Sequence, residues 1–133
     1  MSSFIAKIKD IESVDGLNIV KFDFSNYVLS MMSLDLSENI RVGKRVRLGV
    51  KPTHIAIAKE FSGEISYSNQ LNAKIEDIEI GELLSSIKLD VDGVSFESII
   101  TKNSAMKMNL KLGDEVTLFI KASELSILEV YDD

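Results

Sequence analysis

The sequence contains no cysteine and no tryptophan, and it has one proline and one histidine in 133 residues. Without cysteine, disulfides, thiolate metal sites and a cysteine nucleophile are all excluded. Positive charge is also scarce, because 15 lysines and arginines stand against 21 aspartates and glutamates, for a net charge of −6. A nucleic-acid-binding protein normally neutralises phosphates with a basic face. The sequence therefore predicts no nucleic-acid partner.

Long apolar runs are missing as well, since none approaches the roughly 18 residues that cross a bilayer. Residues 1–7 lack the charged and apolar regions of a signal peptide. Hydrophobic residues make up 45% of the chain and charged residues 27%, a balance typical of a folded domain with a buried core. We therefore expect a soluble cytoplasmic protein with no membrane partner.

The sequence shows no recognisable catalytic constellation. The single histidine, His54, has no evident serine and aspartate partners, and there is no glycine-rich phosphate loop. Paired carboxylates occur in any acidic protein and indicate nothing on their own. We expect no enzymatic activity and no catalytic cofactor, and we interpret His54 as a structural or solvent-facing residue.

The chain contains an internal repeat. Residues 6–12 read Ala-Lys-Ile-Lys-Asp-Ile-Glu and residues 73–79 read Ala-Lys-Ile-Glu-Asp-Ile-Glu, at an offset of 67. After a gap of three residues the offset becomes 70, and residues 40–43 then align with residues 110–113. Two copies of about 65 residues therefore fill the chain.

Each copy has the pattern of a small β-structure. Apolar and polar residues alternate over residues 87–91, the period of a half-buried strand. Turn signals such as Asp15-Gly16 and Asp92-Gly93 separate the strands. The alternation breaks within residues 6–11 and again within residues 73–78, and a β-bulge is the simplest cause.

Only the second copy contains a convincing helical turn. Residues 102–108 lack strand alternation, and Thr101 is a plausible N-cap because its hydroxyl can accept a hydrogen bond from the N–H of residue 104. The predicted fold class is all-β with one short helical turn, built as two tandem OB-like barrels of five strands each. We place the first module over residues 1–62 and the second over residues 63–133.

Four motifs follow one another in the second copy. They are Ser66-Tyr67-Ser68-Asn69-Gln70-Leu71, Ile100-Thr101-Lys102-Asn103-Ser104-Ala105, Gly113-Asp114-Glu115-Val116 and Ile120-Lys121-Ala122-Ser123-Glu124. Through them the second copy resembles the Mop, or molybdenum-pterin-binding, branch of the TOBE domain family. The first copy resembles a looser TOBE module over residues 46–55. Tandem copies in one chain are similar to the two-module molybdate-binding proteins of this family.

The resemblance implies a site for molybdate or tungstate at a subunit interface. The binding residues that it implies in the second copy are Ser66, Tyr67, Ser68, Asn69, Thr101, Ser104, Lys121, Ala122 and Ser123. In the first copy Lys51 and Thr53 occupy the positions of Lys121 and Ser123. A tetrahedral dianion needs donors only, and hydroxyl, ammonium and backbone N–H groups supply them. The protein would not ligate the metal directly.

Two positions depart from the family pattern. Ser68 stands where the family has arginine, and Tyr67 stands where it has alanine. Loss of the guanidinium removes a fork of directed donors and a fixed charge. In the first copy the serine-rich segment is largely missing, because Met1 aligns with Ser68.

Each candidate residue also has a plain structural interpretation. Lys121 is then a solvated lysine, Thr101 and Ser104 are a helix cap, and residues 66–69 are a polar linker.

We therefore weigh two functions. The first is intracellular binding of molybdate or tungstate, for storage, buffering or delivery, by a homo-oligomer, with a trimer favoured and a dimer next. Family resemblance, the small size of each module and outward apolar residues such as Phe119 support association. The alternative is a non-binding or regulatory TOBE module associated with a molybdate transporter or regulator.

Overall fold

The structure, a computed structural model, describes residues 2–132. Met1, which aligns with Ser68 in the repeat, lies outside the described residues. The first copy contains β1 (Ser2–Val14), β2 (Leu17–Phe24), β3 (Tyr27–Ser33), β4 (Arg45–Val50), the 3-10 turn Pro52–His54 and β5 (Ile55–Ala58). The second contains β6 (Asn69–Ile80), β7 (Leu84–Val91), β8 (Val94–Thr101), α1 (Lys102–Lys107), β9 (Glu115–Ile120), the 3-10 turn Ala122–Glu124 and β10 (Ser126–Val130). The predicted mostly-β class is confirmed.

Each of the two predicted tight turns connects the strands of one β-hairpin. Asp15-Gly16 connects β1 to β2, and Asp92-Gly93 connects β7 to β8. All four residues have positive φ, at 50° and 83° in the first turn and 49° and 88° in the second. Such two-residue turns match the twist of the strands that they connect, and aspartate followed by glycine tolerates the conformation.

The predicted bulges lie in the first strand of each copy. The register of β1 against β2 shifts between Ile8 and Asp10, and that of β6 against β7 shifts between Ile75 and Asp77. Residues 2–7 of β1, which precede the bulge, pair with β4. A bulge bends and twists its strand, so β1 and β6 each serve two neighbours in a curved sheet.

The two copies exchange their last strands. The strand orders of the two sheets are β10-β4-β1-β2-β3 and β5-β9-β6-β7-β8. The fifth strand of each sheet thus belongs to the other copy, because β10 pairs with β4 and β5 pairs with β9. The five strands in each sheet agree with the prediction. The sequence repeat does not predict that the copies exchange their last strands. The division of the chain at residues 62 and 63 stays a prediction.

A pseudo-two-fold axis relates the copies. The offset of 67 makes Ser25 and Asp92 equivalent, and Ser25 Oγ donates to Asp92 Oδ2 at 2.6 Å. The offset of 70 makes His54 and Glu124 equivalent, and His54 Nδ1 lies 2.8 Å from Glu124 Oε2. Equivalent residues can touch each other only close to the rotation axis, so the axis passes near both pairs.

The core is continuous across this axis. The ring of Phe4 lies 4.7 Å from that of Phe24 and 5.0 Å from that of Phe96, between centroids. Phe96 belongs to the second sheet and the other two rings to the first, so one apolar core holds both sheets together. No helix among residues 2–132 is long and apolar enough to cross a membrane.

Phe119 corrects one expectation. It was expected to present an apolar surface for association, but it is only 2% exposed. The rings of Phe61 and Tyr67 cover it, with centroids at 5.1 and 5.8 Å. The segment between β5 and β6 therefore folds over the outer face of β9, which strand alternation alone does not reveal.

Candidate functional site

Two small clefts flank the contact between the 3-10 turns at the pseudo-two-fold axis. The first, of about 200 Å³, is lined by Gly49, Val50, Lys51, His54, Ser123, Glu124 and Ser126. The second, of about 300 Å³, is lined by Thr53, His54, Ile55, Ala56, Tyr67, Ile99, Ile100, Lys121 and Glu124. We refer to them as the Lys51 cleft and the Lys121 cleft.

Each cleft combines a lysine from one copy with a hydroxyl from the other. Lys51 and Ser123 line the first cleft, and Lys121 and Thr53 line the second. The offset of 70 relates the two sets, since it converts Lys51 to Lys121 and Thr53 to Ser123. The structure thus brings five of the predicted residues to the clefts. Four of them form crossed pairs that follow from the strand exchange, and Tyr67 is the fifth.

The two 3-10 turns have the same local geometry. Lys51 and Lys121 are extended residues that precede the turns, with φ and ψ of −71° and 140° and of −68° and 145°. The N–H of His54 donates to the Lys51 carbonyl at 2.9 Å, and the N–H of Glu124 donates to the Lys121 carbonyl at 3.0 Å. Pro52 at the start of the first turn fixes its φ and has no N–H to satisfy. The second turn begins at Ala122 instead.

Tyr67 forms one wall of the Lys121 cleft. Lys121 Nζ lies 5.9 Å from the centroid of the Tyr67 ring, near the outer limit of a cation–π contact. The lysine side chain is exposed, so its charge is available at the surface. Tyr67, which replaces the alanine of the family pattern, therefore shapes the larger cleft.

The side chain of Asn69 is buried and makes hydrogen bonds within the protein. It is 1% exposed, its Oδ1 accepts from the Ser30 N–H at 2.7 Å, and its Nδ2 donates to the Ser30 carbonyl at 2.9 Å. Across the axis Ser2 Oγ accepts from the N–H of Glu97 at 2.9 Å, the equivalent bond. The oxygen and the nitrogen of the Asn69 side-chain amide thus both bond β6 to β3.

The remaining predicted residues lie outside the two clefts. Ser66 and Ser68 are exposed in the segment before β6. Thr101 is the N-cap of α1, where its Oγ1 accepts from the Ser104 N–H at 3.1 Å and donates to Ser104 Oγ at 3.0 Å. This pair is a helix cap on an exposed surface, next to the β8 residues that line the Lys121 cleft.

The contacts made by Lys59 are not evident from the sequence. Its Nζ donates to the carbonyls of Met108 and Asn109 at 3.2 and 3.0 Å, at the end of α1, and lies 3.3 Å from Asp114 Oδ2. The Lys111 N–H, which donates to Asp114 Oδ2 at 2.9 Å, and then the Lys59 ammonium lower the pKa of the Asp114 carboxyl. The Gly-Asp motif therefore has a structural role, visible in sequence only as a turn.

No three His, Asp or Glu side chains within residues 2–132 are grouped in a way that could hold a metal ion. The two clefts offer ammonium and hydroxyl groups together with one carboxylate, that of Glu124. Donors of this kind suit an anion better than a bare cation.

A family model described as the TOBE domain matches residues 65–127. The matched segment is 63 of the 133 residues and contains all four motifs of the second copy. The resemblance based on the four motifs is confirmed.

Two curated relatives are similar over most of this chain. It is 27% identical over 110 residues to the molybdate/tungstate import ATP-binding protein WtpC of Pyrococcus horikoshii, an alignment that covers 83% of this chain and 32% of that protein. It is 27% identical over 115 residues to the molybdenum transport protein ModE of Azotobacter vinelandii, with 84% and 42% covered. The chain thus spans well under half the length of these relatives.

A solved structure shares the fold over nearly its whole length. The cytoplasmic molybdate-binding protein ModG, crystallised with molybdate bound, superimposes with a TM-score of 0.88 at 22% identity. The match covers 94% of this chain and 93% of ModG. The paired OB-like arrangement is therefore shared by both proteins.

Proposed function

We propose that this protein binds molybdate or tungstate, with one oxyanion-binding surface at each of the two clefts. The observation that carries the proposal is the crossed pairing of a lysine and a hydroxyl, repeated by the pseudo-two-fold axis. It occurs in a fold shared with a molybdate-binding protein, in a chain whose residues 65–127 match the TOBE domain.

The chemistry of the clefts supports a dianion. Lys51 and Lys121 each supply a charged donor, and Ser123 and Thr53 each supply a hydroxyl. Charge-assisted hydrogen bonds to an oxyanion are stronger than neutral ones. A local pair of donors therefore binds an anion even though the whole chain carries a net charge of −6.

We further propose that a second subunit completes each site. The clefts are open, and Ser66, Ser68, Thr101 and Ser104 are exposed hydroxyls that lie outside them. In a homo-oligomer these hydroxyls can reach the cleft of a neighbouring copy, as the family resemblance implies. A trimer is the favoured assembly, with a dimer next.

The proposed role is storage, buffering or delivery of the oxyanion in the cytoplasm, without catalysis. Both relatives carry names that concern molybdenum import or transport. Two clefts that each offer an ammonium and a hydroxyl group suit a carrier of the oxyanion.

One observation favours a second candidate, a non-binding regulatory TOBE module. Ser68 replaces the arginine of the family pattern, and the amide of Asn69 is already bonded to Ser30. The arginine contact to the anion is then missing, and the Asn69 amide is not free to bind the anion. A module of this kind would act through a transporter or a regulator and bind no oxyanion itself.

Titration calorimetry with molybdate, tungstate and sulfate separates the two candidates. The proposed function predicts saturable binding of molybdate or tungstate by the intact protein and a large loss in the Lys51→Ala/Lys121→Ala double variant. Lys88→Ala, which removes an exposed lysine elsewhere on the second sheet, is the matched control. Absence of binding by the unmodified protein would favour the regulatory module.

A further inference from the structure

The contact between His54 and Glu124 lies between the two clefts and lines both of them. Each residue ends its own 3-10 turn, and the repeat makes the two positions equivalent. Their side chains are 36% and 35% exposed, and the Nδ1–Oε2 distance is 2.8 Å. A pair at a pseudo-two-fold axis would be two like residues in a perfect repeat, so this asymmetry calls for a chemical explanation.

A carboxylate is out of place in a cleft that binds an anion. Left free, the Glu124 carboxylate would repel a dianion, and it would compete with the anion for the ammonium groups of Lys51 and Lys121. In the structure it bonds to His54 instead. Among residues 2–132 the ion pairs of the structure leave both cleft lysines without a carboxylate partner.

We propose that His54 is a positioning residue that holds the Glu124 carboxylate away from Lys51 and Lys121, so that both lysines remain available to the oxyanion. This inference rests on the proposed function. The Nδ1–H group of the imidazole can donate to the carboxylate whether the ring is neutral or charged. The positioning therefore does not require a change in the charge of His54.

His54 is expected to affect binding at both clefts. Because His54 and Glu124 line both clefts, release of the carboxylate exposes both lysines to competition. A substitution at His54 is thus expected to weaken binding at both clefts, whereas a substitution of one lysine affects mainly its own.

Calorimetric titration with molybdate of four variants tests the proposal. His54→Leu removes the donor and is expected to weaken molybdate binding. The loss should be only about threefold to tenfold, because the ion pair is partly exposed and such pairs are weak. Glu124→Gln should bind at least as tightly as the unmodified protein. In the His54→Leu/Glu124→Gln double variant the affinity should return to that of Glu124→Gln. His54→Asn, whose amide nitrogen can replace Nδ1, should retain most of the affinity.

The rescue by Glu124→Gln distinguishes positioning from a structural role. If His54→Leu and the double variant are equally weak, or if His54→Leu binds normally, the proposal is overturned. Glu129→Gln, which removes a carboxylate paired with Arg47 on β4, controls for the change in net charge and should not rescue.

A second measurement does not depend on binding. In a crystal structure of His54→Leu without ligand, the Glu124 carboxylate should lie within about 4 Å of Lys51 Nζ or Lys121 Nζ. A carboxylate that stays at its present position would contradict the proposal. If the unmodified protein binds no oxyanion, the proposed function fails, and this structure still decides whether His54 positions Glu124.

Discussion

Lys51 and Lys121 are equivalent in the repeat, but their surroundings differ. Lys121 faces a cleft of about 300 Å³ with Tyr67 as one wall, whereas Lys51 faces one of about 200 Å³. The two lysines are therefore expected to contribute unequally to binding.

We predict that Lys121→Ala weakens molybdate binding by about 10- to 150-fold, the equivalent of one charge-assisted hydrogen bond. Lys51→Ala should have a smaller effect. Both lysines are exposed, so the unfolding free energy should change by no more than about 0.5 kcal/mol. Calorimetry on the two variants measures the difference, and a larger loss in Lys51→Ala would reverse the assignment of the stronger site.

Asp114 is predicted to contribute to stability against acid. The Lys111 N–H, followed by Lys59, lowers the pKa of this carboxyl in the folded state, below the value of about 3.9 for an unfolded chain. Its stabilising effect is therefore complete above that value and is lost as the pH falls through the lowered pKa.

Asp114→Asn should lower the urea midpoint at neutral pH and weaken the acid dependence of stability below about pH 4. Urea unfolding across this pH range provides the measurement. The exposed Glu79→Gln is a matched control and should leave the profile unchanged. An acid profile of Asp114→Asn that matches the unmodified protein would show that other carboxylates dominate.

One side chain makes two hydrogen bonds between strands that belong to different copies. Asn69 at the start of β6 bonds both backbone groups of Ser30 in β3. In Asn69→Ala those groups lose their partner, which costs about 1–3 kcal/mol. Urea unfolding should show this loss. If the variant keeps its stability but loses affinity for molybdate, the amide serves the ligand and not the fold.

Much of the element structure could be predicted because its signals are local. Asp-Gly turns, strand alternation, bulges and the Thr101 cap each depend on a few neighbouring residues. The exchange of β5 and β10 could not be predicted, since the alternation in a strand is the same whichever strand it pairs with. The repeat therefore grouped Lys121 with Ser123, whereas the structure lines its cleft with Thr53. Likewise, Phe119 has the position of an outward residue, and only the path of residues 59–68 explains its burial.

Several contacts between its two copies hold the whole molecule together. The exchanged strands pair along both sheets, the rings of Phe4 and Phe96 join the cores, and Asn69 and Ser2 bond strands across the axis. Because each half supplies a strand to the other, neither sheet is complete without both halves. We therefore expect one cooperative unfolding transition for the chain.

The exchanged strands make each half of the chain depend on the other. A fragment of residues 1–62 lacks β10, which pairs with β4, and a fragment of residues 63–133 lacks β5, which pairs with β9. Each fragment would then expose an unpaired strand edge and part of its core. We expect neither fragment to unfold cooperatively on its own, and we expect an equimolar mixture to regain native circular dichroism and a cooperative transition. Cooperative folding of an isolated fragment would mean that its last strand can turn back onto its own sheet, so that the exchange is one of two accessible pairings.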